Sequence, residues 1–178
     1  MAKRKWAIDP MHSEIKFKVK HLMITNVTGS FDLFKLDVET EDENFMNSSI
    51  EVSVDVNSIN TGNEQRDGHL KSADFFDAAN FPEIKFVKTK TTPVDNDGSF
   101  EIYGDLSIHG TTKNVKLDVE FGGVVQDAYG NTKAGFTING KINRKDFGLH
   151  WNAVTEAGGV VVSDEVKIMC ELQLIEQR

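Results

Sequence analysis

The sequence predicts an all-β fold: an eight-stranded antiparallel barrel with one short helical insertion at about residues 62–80. Three observations carry this. Apolar residues recur with period two through eight segments, the intervening positions are charged or polar, and turn-forming clusters separate the segments. A strand with one apolar and one charged face suits an antiparallel sheet that is wet on one side. A parallel sheet covered by helices needs continuous apolar strands, and this sequence has none.

Taken in order, Ile15, Phe17, Val19 and His21 alternate with Glu14, Lys16, Lys18 and Lys20. The next segment, 29–39, carries Phe31, Leu33, Leu36 and Val38; its phase slips near Phe34, which predicts a bulge there. Ile50, Val52, Val54 and Val56 form the third strand, and Ile84 with Phe86 the fourth. Phe100, Ile102, Leu106 and Ile108 share a face with Gly104. Val115 to Phe121, Phe136 to Ile142 and Val166 to Leu174 complete the set. Turn signals stand at Asp95-Asn96-Asp97-Gly98, His109-Gly110 and Tyr129-Gly130-Asn131. The acidic run Asp37, Glu39, Glu41, Asp42 and Glu43 reads as a solvated hairpin tip without calcium-loop spacing.

Between Ser58 and Pro82 the alternation stops. Thr61-Gly62-Asn63-Glu64 has the form of a capping box, and Leu70, Ala73 and Phe76 recur at helical spacing. One short helix here, or two with a break at Gly68, capping one end of the barrel, would bury Phe75, Phe76 and Phe81. Strands of about ten residues rise roughly 33 Å, which favours a tall closed barrel over its rival, a two-sheet sandwich. The connection from Lys145 to Asp164 contains Trp151, Gly158 and Gly159 and reads equally as a mouth loop or as a packed loop closing the core.

With 178 residues the chain is one domain, 1–178, able to bury a core without disulfides. Twenty Lys and Arg face 28 Asp and Glu, a net charge of -8. That charge disfavours nucleic acid as a partner and adsorption to anionic membranes. No apolar run is long enough for stable membrane insertion. The basic start Lys3-Arg4-Lys5 is followed at once by Asp9, Pro10, His12 and Glu14 rather than by an apolar leader core. The expectation is a cytoplasmic protein, with a trimmed exported form as the alternative. Cys170, the single cysteine, is in phase with Ile168 and Leu172 and reads as a buried core thiol.

No nucleophile elbow, phosphate loop or metal-ligand motif occurs, so no catalytic residue, metal or cofactor is expected. His12, His21, His69, His109 and His150 have no ligand spacing and read as ordinary hydrogen-bonded histidines. Arg66 and Arg144 lie in charged clusters at strand ends. Each reads either as an Arg–Asp pair tying down a loop or as a grip on an anionic head group.

Several motifs, in order, resemble the YceI-like family of polyisoprenoid-binding proteins. They are Trp6-Ala7-Ile8-Asp9-Pro10-Met11-His12-Ser13, Val19-Lys20-His21-Leu22-Met23 with Gly29-Ser30-Phe31, and Thr61 to Ser72 with Asp74-Phe75-Phe76-Asp77 and Phe81-Pro82. Gly104 to Gly110 and Asn143 to Leu149 follow. The resemblance spans nearly the whole chain. It implies a lipocalin-like barrel with a helical insertion, an apolar cavity for a long isoprenoid or other lipid, and often a homodimer.

The expected function is therefore non-catalytic binding of a long apolar ligand inside the barrel, for carriage, storage or sensing. The expected lining is Phe17, Val19, Val54, Phe86, Ile102, Leu106, Phe136 and Ile142. Phe75, Phe76 and Trp151 would guard the entrance, and His21, Arg66 or Arg144 would meet the head group. The alternatives are an enzyme acting on a lipid through His and Arg groups at the mouth, and a solid-cored protein acting through its acidic surface. A void of about 300 Å³ or more separates the first reading from the last.

Overall fold

The computed structural model describes residues 3–94, 98–151 and 162–177. Its strands are β1 (Lys3–Ile8), β2 (Glu14–His21), β3 (Thr25–Phe31), β4 (Phe34–Glu41), β5 (Asn44–Asp55) and β6 (Ile59–Asn60). The one α-helix among the described residues, α1 (Glu64–Lys71), precedes β7 (Glu83–Pro93), β8 (Phe100–Ile108), β9 (Thr111–Gln126), β10 (Thr132–Asn143) and β11 (Glu165–Gln177). All pairings are antiparallel, and β1 pairs with both β4 and β11, which closes the ring.

Eleven segments build eight staves. β1 and β2 lie end to end along β11, opposite Leu174–Gln177 and Lys167–Glu171 respectively. Likewise β4 pairs with β1 and β3 with β2, while β5 pairs with β4 and β6 with β3. Each interruption has a local cause. Pro10 lacks an N–H for the ladder, and Asp9 caps the short turn it starts by accepting from Met11 N. Asp55 caps the Val56–Ser58 turn the same way, through Asn57 N. The expected bulge near Phe34 is instead a complete break at Asp32 and Leu33. Asp32 N donates to Ser58 O there, and Leu33 O accepts from Asp55 N, so the broken strand is held by the neighbouring break.

Two strands, β1 and β6, were not foreseen, because their stretches are too short to display a period. The helix also starts later than the capping box implied. Gly62 takes a φ of +83°, so Asn63 becomes the N-cap and accepts from Arg66 N. The His109-Gly110 turn is as expected: both residues have positive φ, 55° and 77°, joining β8 to β9 in two residues. Residues 95–97 of the expected Asp95–Gly98 turn, and Gly158 and Gly159, lie outside the described residues.

Two glycines shape the interior. The Phe17 ring lies over Gly29 on the paired strand, and the Phe86 ring over Gly104, leaving no room for a Cβ at either.

Candidate functional site

The two ends of the barrel differ. At one end Trp6, Phe45, Phe121 and Phe136 form a continuous aromatic plug, with ring centroids 4.9–5.5 Å apart. Trp6 Nε1 donates to Thr40 Oγ1 at 2.9 Å, so the buried indole is satisfied. Ala134, Leu172 and Leu174 are buried around this plug. Toward the other end the inward side chains leave a space between them. Ile15, Phe17, Val19, Val52, Val115, Leu117, Ile138, Ile142 and Ile168 face inward yet stay only half-buried, because they border a hollow.

That hollow is a cavity of about 450 Å³ running from Phe45 and Phe136 up to the mouth. Among the described residues its wall is almost entirely apolar and includes no Asp or Glu, although the chain carries a charge of -8. The polar residues along it are Lys16, Lys20, His21, Ser48, Thr61, Arg66, His69 and Arg144.

All fourteen residues chosen from the sequence lie on this wall: Phe17, Val19, His21, Val54, Arg66, Phe75, Phe76, Phe86, Ile102, Leu106, Phe136, Ile142, Arg144 and Trp151. At the mouth Trp151 packs on His69 and Phe75, with centroids at 4.8 and 5.1 Å. Phe76 packs on Phe31 at 6.1 Å. His69, which sequence reasoning passed over, thus belongs to the entrance; its Nε2 pairs with Asp74 Oδ2 at 2.9 Å.

The arginines behave differently from a head-group clamp. Arg144 is 3% exposed, and its Nε donates to Ser163 O, its Nη1 to Leu149 O and Trp151 O, and its Nη2 to Val162 O. Asp164 stands at 3.9 Å, so carbonyls rather than a carboxylate hold the cation. Burial pulls the guanidinium pKa down, and Asp164 only partly opposes this. Arg144 is therefore a clamp on both ends of the long connection, which corrects its expected part in meeting a head group. Arg66 is exposed and spends Nε and Nη2 on Thr61 Oγ1 and O, both at 2.7 Å.

Ile15, Ile50, Val52 and Ile138, on the apolar faces read from the alternation, also line the cavity, and so does Ser48, which was not read from the sequence. The signal was present: stepping the Ile50-Val52-Val54 alternation back by two lands on Ser48. Cys170 lines the wall too, and burial pushes its thiol up to about 12. Among the described residues no group of three or more His, Cys, Asp or Glu is placed to hold a metal ion. No helix there is long and apolar enough to cross a membrane.

Comparison with known proteins agrees with this architecture. A UPF0312 protein of Staphylococcus aureus (strain MSSA476) is 39% identical over 163 residues, covering 91% of this chain and 92% of its own length. The crystal structure of a Campylobacter jejuni YCEI protein is 33% identical, with a TM-score of 0.76 over 89% of this chain and 90% of its own. A polyisoprenoid binding domain from Saccharophagus degradans, 18% identical, shares the fold with a TM-score of 0.66, covering 97% of this chain and 98% of its own. The YceI-like domain family matches residues 6–174, from within β1 to within β11, and the chain belongs to that family.

Proposed function

We propose that the protein binds a long apolar ligand, a polyisoprenoid or similar lipid, non-catalytically inside the barrel. The observation that carries this is the 450 Å³ hollow, walled by the inward faces of the staves and free of acidic side chains among the described residues. A packed core of this size does not keep nine aliphatic and aromatic side chains half-exposed toward its own interior without reason. Each methylene transferred from water to such a wall contributes about 0.8 kcal/mol before ordering costs, so a few isoprene units suffice for firm binding. The plug of Trp6, Phe45, Phe121 and Phe136 would set the depth to which a chain enters. The description of the Saccharophagus degradans domain as polyisoprenoid binding points to the same ligand class.

Mass spectrometry of organic extracts from the purified protein, with titration of the delipidated protein by geranylgeraniol, tests the reading. Co-purified lipid or saturable binding is expected. A protein that yields no lipid and binds no prenol overturns it.

A further inference from the structure

Near its floor the cavity wall carries Ser48, a polar group that an apolar chain alone does not require, and Lys88 stands behind it rather than on the wall. Along β7, Ile84 and Phe86 point inward, and Lys88 continues that phase opposite buried Gly104. The β5–β7 ladder ends at Glu51 and Val87, and β7 bulges between Lys88 and Lys90 while staying paired with β8. Lys88 reaches across the parted strands so that its Nζ donates to Ser48 Oγ at 3.3 Å. Ser48 is 5% exposed and lies on the cavity wall just above Phe45.

This group is incompletely satisfied. Ser48 is the hydrogen-bond partner of Lys88, and among the described residues no carboxylate pairs with that ammonium. The Ser48 hydroxyl accepts from Lys88, and its own proton has no acceptor among the described residues. Thr91 Oγ1, one inward position further along β7, is buried without a partner. Buried polar groups left in this state, such as the Ser48 hydroxyl and Thr91 Oγ1, cost about 1–3 kcal/mol each, while the Lys88 ammonium is only partly buried. At the mouth, by contrast, Arg144 is spent on carbonyls, Arg66 leans on Thr61, and His69 is paired with Asp74.

We propose that the floor is a carboxylate site, so that the cavity takes a long-chain acid head-first. One carboxylate oxygen accepts from the Ser48 hydroxyl, the negative charge faces Lys88 Nζ, and the hydrocarbon runs back to the mouth. The proposal rests on the reading of the cavity as a chain-binding site and reverses the direction in which the chain enters. A carboxylate that accepts from the Ser48 hydroxyl with its charge facing Lys88 gains an ion-pair attraction that an alcohol of the same length lacks.

The test compares geranylgeranoic acid with geranylgeraniol at pH 7, each displacing the apolar dye N-phenylnaphthylamine from delipidated protein. The wild type is expected to prefer the acid by at least about tenfold, the ratio that 1.4 kcal/mol supplies. Lys88→Met removes the preference and leaves the alcohol within about threefold, Lys88→Arg keeps part of it, and Ser48→Ala weakens the acid selectively. Thermal melts select variants that remain folded, and Ser48→Ala carries the test should Lys88→Met not fold. Equal affinities in the wild type overturn the carboxylate site. So does a preference that survives Lys88→Met and Ser48→Ala but disappears in Arg66→Gln, since the acid then sits at the mouth. If the dye and the alcohol bind but the acid does not, this proposal fails alone; if nothing binds, the chain-binding reading fails with it.

Discussion

A hollow interior has a mechanical signature: enlarging a side chain that faces it fills space, whereas enlarging one in a filled core strains its neighbours. Val52 and Ala134 make the contrast. Val52 is half-buried, lies between Leu36 and Phe86 on the staves beside it, and borders the cavity. Ala134 is 1% exposed, between Leu174 and Val124 at the plugged end. Val52→Phe adds four side-chain carbons to the void. At about 0.8 kcal/mol for each carbon buried, the gross gain is about 3 kcal/mol. Ordering and imperfect packing reduce it, so a change between zero and about 2 kcal/mol in favour of the folded state is expected. Ala134→Leu overpacks and should cost about 1–3 kcal/mol. The volume taken by the phenyl ring is lost to the ligand; the same four carbons are worth about 3 kcal/mol of binding, or about 100-fold in Kd for geranylgeraniol. Urea unfolding of both variants with apo protein, alongside the dye displacement titration, reads each quantity. Val52→Phe destabilising the fold as much as Ala134→Leu, with prenol affinity unchanged, would refute the hollow and the function built on it.

Arg144→Met is expected to destabilise the protein by about 3–5 kcal/mol, because four carbonyls lose their donor, and Arg144→Lys should recover little, since an ammonium cannot span them; urea midpoints decide it. Burial pushes the Asp9 carboxyl up, but hydrogen bonds from Lys133 and His12, the Lys133 charge and the Met11 N–H together hold it below the usual carboxylate range. Its contribution is full above the unfolded carboxylate pKa of about 4 and is lost as pH falls through the lower folded value. Asp9→Asn should therefore narrow the stability difference from wild type as pH drops below about 4, and an undiminished difference at pH 2.5 would contradict this. Cys170, held protonated by burial, should stay unmodified by a thiol reagent at pH 8 until denaturant is added, and rapid labelling of the native protein would mean that water reaches the wall.

Much of the architecture is written in the period of the chain. Residues such as Ile50, Val52 and Val54 must share a face whatever their neighbours are, because successive strand side chains point to opposite sides. Long half-wet strands then leave a closed sheet as the natural way to bury those faces. The inward set followed from this alone, the capping box and helical spacing after Thr61 gave the helical insertion, and the YceI-like motifs added the expectation of a polyisoprenoid or similar lipid as ligand. What period cannot carry is distance. Phe45 and Ile138 both point inward, but one meets rings within about 5.5 Å and the other faces a void, and only the closure of the ring decides which. That Arg144 ties down a loop was one of its two readings, but its partners were hidden, since the four carbonyls come from both ends of a long connection. The Lys88–Ser48 contact depended on a bulge that parts two strands forty residues of sequence from one another. Local chemistry settles the orientation of each side chain, whereas whether a side chain finds a partner is a property of the assembled barrel.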